Sequence, residues 1–453
     1  MTSHADWLSN AFFEDPEQDS LDGGTTNQGP LWHAISPRWG HAMHSMCSYQ
    51  GMFPARLAHY FIQRYSKPGD LVADPFSGRG TVALQARVER RRALSNDLNP
   101  LAYVLTAAKS DPPPWGEITK FVSQLERSYP KRAHQEVDVS EDIRMLFHED
   151  TLRQICFLRD HLQSKPMLKW TREELMLAGT MAGILHGAHR SDGSSMYLSI
   201  SMPNTFSMPP TYVRKYIYEN KLHKIDQNVF ERLRDKLARI YLDSTDGPPG
   251  RTYKRDAPRF LTTSAVRPGS IDLIVTSPPY LQVVNYGTSN WIRLWWLGID
   301  EVSRHGGAGR RSLDSELDHR HLYDSYRAFL LRTLRGVQRV LQPSGVAVVV
   351  IGDVTTAKGP SYELAHHVWS DVGAETNMRL LDVIEDSLPS QTKVSRIWGD
   401  TKGRATDQDR VLVLARTGGD PTTNSVAVQW DEPYKDGGPD EAHRRFHRQR
   451  LAS

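Results

Sequence analysis

The stretch from Gly69 to Pro100, GDLVADPFSGRGTVALQARVERRRALSNDLNP, constrains the fold more than any other part of the chain. An apolar run ends at Asp74, a glycine-bearing turn follows, a helix-patterned segment leads on, and a second apolar run ends near Asp97. Two strands joined by a helix within about thirty residues must lie parallel, because such a pair needs a crossover rather than a hairpin. The same signals return later: SIDLIVTSPPY (270–280) as a strand, YDSYRAFLLRTLRGVQRVL (323–341) as a helix, GVAVVVIGD (345–353) and RVLVLAR (410–416) as strands. Continuous apolar strands of this kind are buried on both faces. The expectation is an α/β chain with a βαβ unit near its start and further α/β elements later.

Between the two groups the pattern changes. SDPPPW (110–115) stops any helix or central strand, since proline lacks the backbone donor. From 116 to 250 the spacing is largely helical. Leu152, Ile155, Leu158 and Leu162 share one face, with Asp150 or Thr151 as N-cap, and Val229, Leu233, Leu237 and Ile240 share another. Within this block the segment from 189 to 218 is polar, aromatic and punctuated, and reads as irregular surface. Residues 1–30 are polar and acidic and read as a flexible arm; 421–453 read as a polar tail.

Composition narrows the class. With 39% hydrophobic and 24% charged residues in 453, the balance is that of a soluble globular protein. No apolar run approaches the roughly 18–20 residues of a membrane span. The start shows no secretory pattern, and Cys47 and Cys156, the only cysteines, exclude a disulfide framework or a cysteine-rich zinc site. A cytoplasmic protein without a metal site is expected. The net charge of +3 is compatible with nucleic acid; the arginine clusters at 87–94, 309–311 and 443–450 read chiefly as solvated faces or tails.

In DPFSGRGT (74–81), Gly78 and Gly80 allow a tight turn and a close backbone approach to a ligand at a helix N-terminus. Their spacing is shorter than the dinucleotide fingerprint and lacks its third glycine, and no Walker lysine follows. Asp97, at the tip of the next strand, is placed to accept ribose hydroxyls, with N-capping of the helix at Asn99-Pro100 as the alternative. A nucleoside cofactor without pyrophosphate suits this set, and S-adenosylmethionine is the candidate. Further along, Ser277-Pro278-Pro279-Tyr280 ends a strand in a rigid corner. A serine hydroxyl and a fixed carbonyl can accept both hydrogens of an amino group, and Tyr280 offers a face to an extruded base. Prolines beside the serine do not suit a Ser-His-Asp nucleophile.

TSPPY after a strand, together with DPFSGRGT, resembles the amino-group DNA methyltransferases, and the serine form is similar to their cytosine-N4 branch. The segment 48–76 resembles the stretch before the cofactor turn, and RDAPRF (255–260) the third strand tip. NYGTSNWIRLWWLGID (285–300) and the strand ending at Asp353 are also similar to the family. The resemblance implies a Rossmann-like S-adenosylmethionine-dependent methyltransferase sheet with a largely helical insertion. It implies a cofactor-binding half at 31–110, a helical insertion and candidate target-recognition region at 111–250, and a catalytic half at 251–420. Implied cofactor residues are Phe53, Pro54, Asp74, Pro75, Phe76, Gly78, Gly80, Thr81, Asp97, Asn99 and Asp256; implied catalytic residues are Ser277, Pro278, Pro279 and Tyr280. Asp256 as a surface-loop acid is the alternative.

The implied reaction is methyl transfer to N4 of a flipped cytosine in double-stranded DNA, with adenine N6 as the nearest rival. A DNA-binding subunit without catalysis is the rival from another class, and RNA or a protein glutamine are further substrates of related corners. A restriction endonuclease acting on the same site is an implied candidate partner. The cofactor-half-first order resembles the α arrangement, whereas many serine-type members place the catalytic half first. Carbon-5 chemistry needs a nucleophilic cysteine, and neither cysteine follows a proline. Arg79 stands where the family often has a small residue; a cofactor carboxylate, a DNA phosphate or solvent are its possible neighbours, and solvent is the preferred reading. Residues 185–224 are the candidate specificity surface, and RHGGAGRR (304–311) reads as a disordered linker in preference to a closing loop.

Overall fold

The computed structural model describes residues 31–36, 38–51, 54–129, 137–279, 285–304, 306–317, 323–355, 361–387, 405–425 and 427–432. Within them runs one sheet: β1 Leu71–Asp74, β2 Arg92–Asn96, β3 Arg251–Tyr253, β4 Ile271–Thr276, β5 Leu341–Thr355, β6 Ser361–Tyr362, β7 Met378–Ser387 and β8 Ala405–Arg416. The strand order is β3-β2-β1-β4-β5-β8-β7, and β6 pairs antiparallel with β5. β3 through β5 are mutually parallel, and only β8 runs against both its neighbours. The βαβ expectation holds: helix Thr81–Val88 carries the chain from β1 to β2.

Side chains alternate between the two faces as the pleat requires. Val72, Val275, Val348 and Val413 point to one layer, where helices Ala55–Tyr65 and Thr81–Val88 supply Phe61, Ile62 and Val82. Ala73, Ile274, Ala347 and Leu414 point to the other, against Phe260, Phe329 and Val368. The winding changes direction between β1 and β4, which pair at Val72–Leu273 and Ala73–Ile274. A crevice opens beyond the carboxyl ends of strands at such a switch point.

The segment between β2 and β3 is helical, with helices Trp115–Ser128, Glu149–Gln163, Arg172–Ile184, Pro210–Asn220 and Val229–Ile240. Both predicted apolar faces are buried, Leu152, Ile155, Leu158 and Leu162 on one helix and Val229, Leu233, Leu237 and Ile240 on the other. Their core continues into Leu101 and Leu105 of helix Pro100–Ser110 and into Trp291, Trp295 and Trp296. Arg293, fully buried, ties the layers together by donating to the carbonyls of Ala182 at 3.1 Å and Ser48 at 3.0 Å, and to that of Asn204.

Several expectations are corrected. The N-cap of helix Glu149–Gln163 is His148, whose ring accepts from the Asp150 N–H, rather than Asp150 or Thr151. Gly306–Leu317 is a helix, not a linker: Arg310 donates to the Val302 carbonyl at 2.8 Å and sits over the Trp291 ring. The irregular surface ends at Pro209, where helix Pro210–Asn220 begins. The arginines of 87–94 are not all solvated, since Arg87 and Arg91 are buried; Arg91 donates to the carbonyls of Ser66 and Glu89 at 2.8 Å each. The tail is not wholly peripheral. Gln429 accepts from His59 at 2.6 Å through its carbonyl, and Trp430 meets Trp39 edge-on at 5.6 Å. The arm at 1–30 and the cluster at 443–450 lie outside the described residues. Among the described residues no helix is long and apolar enough to cross a membrane.

Candidate active site at the sheet switch point

β1 ends in Asp74, and parallel β4 ends in Thr276 beside it. The Thr276 hydroxyl donates to Asp74 Oδ1 at 2.6 Å, and the Phe76 N–H donates to the same oxygen at 3.1 Å. These bonds hold the start of the glycine turn against the start of the proline corner. Asp74 is 2% exposed, and burial raises its carboxyl to about 7 despite both donors.

The turn itself needs both glycines, for different reasons. Gly78 has φ +50° and its N–H donates to Asp97 Oδ2 at 2.8 Å, so the second strand tip closes onto the first turn. Gly80, at φ +79°, is the left-handed N-cap of helix Thr81–Val88. A Cβ there would lie 2.9 Å from the Thr106 Cα, so this glycine lets helix Pro100–Ser110 approach. Asp97 also accepts from the Asn99 N–H at 2.9 Å. The helix cap is Asn99, which accepts from the Leu101 N–H at 3.0 Å, so the capping alternative for Asp97 is set aside. Asp256 caps the short helix Ala257–Thr262 and is half-buried rather than a free loop acid.

A solvent-open cleft of about 780 Å³ joins these parts. Of the sequence-predicted residues it is lined by Asp74, Pro75, Phe76, Gly78, Thr81, Asp97, Asn99, Asp256, Ser277 and Pro279. Gly80, Pro54 and Pro278 are not among its lining residues: Gly80 packs on Thr106, Pro54 is the N-terminal flank of helix Ala55–Tyr65, and Pro278 is buried between the lining residues Ser277 and Pro279. Phe53 and Tyr280 lie outside the described residues.

Other lining residues escaped the sequence reading. Tyr49 accepts from Asn99 Nδ2 at 3.0 Å, and its ring stacks on Tyr286 at 6.2 Å. Burial and the neighbouring Asp97 charge push its phenol well above the ordinary value, so it stays a neutral hydroxyl. Nothing in the 48–76 segment singles out Tyr49, because no spacing marks one tyrosine before the turn. Leu317 comes from the helix read as a linker. Arg79 corrects the solvent reading: Nε donates to Thr81 Oγ1 and Nη1 to the His44 carbonyl, each at 3.2 Å. Burial lowers its guanidinium to about 10, which leaves it cationic at neutral pH. Both cysteines are buried, as expected, and burial pushes the Cys156 thiol up to about 12.

Residues 7–108 match the family model described as DNA methylase. The chain is 35% identical over 86 residues to the type II methyltransferase M.XycI of Xanthomonas campestris pv. cyanopsidis, covering 19% of this chain and 26% of that protein. It is 34% identical over 84 residues to M.Cfr9I of Citrobacter freundii, covering 18% and 25%. The chain thus spans about a quarter of the length of these relatives. Among solved structures, the rRNA methyltransferase aviRa of Streptomyces viridochromogenes aligns over 82% of this chain and 89% of its own at 13% identity, with a TM-score of 0.27. The matched segment holds β1, the glycine turn, β2 and Asp97, the parts that form one wall of the cleft, and over that segment the chain is similar to the DNA methylases.

Proposed function

We propose that this chain transfers a methyl group from S-adenosylmethionine to an exocyclic amine of a base in double-stranded DNA, with N4 of cytosine as the target. One observation carries the reading: the glycine turn with Asp97 and the Ser277-Pro279 corner face the same cleft at the sheet's switch point. The donor set fits the cofactor. Asp97 suits ribose hydroxyls, Asp256 the adenine side, and Phe76 and Tyr49 give apolar flanks to the nucleoside. When bound, S-adenosylmethionine supplies an electrophilic methyl group on a sulfonium.

The chain's own residues orient the amine. The Ser277 hydroxyl and the Pro278 carbonyl accept its two hydrogens, so the nitrogen lone pair is withdrawn from the ring and turned toward the cleft. Two prolines fix those acceptors before the base arrives, and Tyr280 stacks on the base. Rate enhancement then comes from orientation and polarisation, without a covalent intermediate. The cofactor-half-first order read from the sequence keeps adenine N6 as the second reading. The helical segment between β2 and β3, with the surface at 185–224, is proposed to read the DNA sequence. A cognate endonuclease acting on the same site is proposed as the partner.

Nucleoside mass spectrometry of DNA from cells expressing the chain, beside Ser277→Ala and Tyr280→Ala, tests this. N4-methylcytosine made only by the intact chain supports the reading in full. N6-methyladenine keeps the chemistry and changes the base. Unmodified DNA in every case, with the protein folded and abundant, overturns it.

A further inference from the structure

The charged residues that line the cleft are Asp74, Asp97, Asp256 and Arg79, three acids and one cation. Arg79 is not spent on a structural ion pair: among the described residues no carboxylate lies within salt-bridge distance of it. Thr81 Oγ1 and the His44 carbonyl hold Nε and Nη1, while Nη2 makes no hydrogen bond among the described residues. Its backbone carbonyl accepts from the Nζ of Lys109 at 2.6 Å. Lys109 is fully buried and also has no carboxylate partner among the described residues. Burial pushes the Lys109 ammonium well down, so the standing cation is Arg79 at the cleft wall, with no counter-charge supplied by the described fold. A largely buried cation without a partner is costly, so Arg79 calls for an anionic ligand group.

We infer that Arg79 binds the carboxylate of the cofactor's amino-acid end and so selects for an intact methionine moiety, an inference that rests on the cofactor reading above. The acids decide which anion is taken. A polyanionic DNA backbone would be repelled by Asp97 and Asp256, whereas a ligand carrying one carboxylate beside cationic sulfonium and ammonium groups matches these acids and one cation. The fixed guanidinium, anchored through two of its nitrogens, presents its remaining donors to a planar carboxylate. The residue thereby tightens cofactor binding and positions its methionine end, without touching the target base.

The test is calorimetric titration of the full chain with S-adenosylmethionine and with decarboxylated S-adenosylmethionine, which keeps the adenosyl and sulfonium groups. The variants are Arg79→Gln and Arg79→Ala, each checked for an intact thermal transition, with Arg79→Lys as the charge-retaining comparison. Charge-assisted hydrogen bonds of this kind predict that Arg79→Gln weakens S-adenosylmethionine about 10- to 100-fold. The decarboxylated analogue binds wild type weakly and is unaffected by the substitution, and Arg79→Lys recovers part of the loss. Equal losses for both ligands, or unchanged S-adenosylmethionine affinity, overturn the inference. A loss confined to duplex DNA, read by fluorescence anisotropy, overturns it in favour of a phosphate contact. Failure of wild type to bind either ligand is a different result, because it removes the cofactor reading itself.

Discussion

Substituting alanine at the two glycines of the cofactor turn separates backbone strain from steric collision. At Gly78, with φ +50°, an added Cβ meets only the Tyr49 ring at 3.7 Å, an ordinary van der Waals distance. Gly78→Ala therefore costs the left-handed conformation alone, about 1–2 kcal/mol. At Gly80, with φ +79°, the Cβ lies 2.9 Å from the Thr106 Cα and 3.0 Å from its Oγ1. The helix cannot retreat freely, because the Thr106 hydroxyl is tied to Ser77 Oγ at 3.0 Å and its residues are buried. Overpacking of about 1–3 kcal/mol adds to the strain, for a total of about 2–5 kcal/mol. Urea unfolding followed by tryptophan fluorescence gives both values. Gly80→Ala should lose more stability than Gly78→Ala, and adding Thr106→Ala should recover little, since the clash with the helix backbone survives it. Equal losses at the two positions, or full recovery by Thr106→Ala, would refute the packing argument.

Other expectations follow from the same structure. The Asp74 carboxyl, raised by burial from 3.8 to about 7, holds a proton in the folded chain that the unfolded chain has released. Its contribution therefore falls as pH rises through that window, and Asp74→Asn should remove a loss on the order of 2 kcal/mol between pH 5 and pH 8; an unchanged pH profile in paired urea titrations would contradict it. Arg293→Ala leaves the carbonyls of Ala182, Ser48 and Asn204 without their donor and should cost about 3 kcal/mol or more, with Arg293→Lys recovering little because one ammonium cannot serve all three. The thermal transition reports both variants. Cys47 and Cys156 should react with a thiol reagent at pH 8 only after unfolding, and fast modification of either in the native chain would contradict their burial.

The local grammar of the chain was legible without coordinates. Apolar runs, the glycine turn, proline punctuation and helical faces gave β1, β2, β4 and the helices on either side, because each is set by neighbours within a few residues. Ser277 and Asp97 were legible as residues at strand ends for the same reason: each follows directly on an apolar run that its own neighbours mark as a strand. Arginines were read least well. Arg79, Arg91, Arg293 and Arg310 carry charge that composition assigns to surface, yet each turns inward to a carbonyl acceptor, eight residues away for Arg310 and 25 to 111 away for the others. Glycine misled at 306–308, where the contacts of Arg310 with Val302 and Trp291 accompany a helix that local propensity disfavours.

By itself, then, the sequence determined that two α/β segments flank a helical one, and that a rigid Ser-Pro-Pro corner and a glycine turn each close a strand. It did not determine that β1 and β4 are neighbours, though β4 begins about two hundred residues after β1, a separation that no local pattern spans. Strand pairing decided it. Once Val72 lies beside Leu273, Thr276 reaches Asp74, the two corners share one cleft, and Tyr49, Tyr286, Arg79 and Leu317 close around it. Burial is a property of the assembled layers, so the raised carboxyl of Asp74 and the inward cation of Arg79 exist only in the tertiary structure.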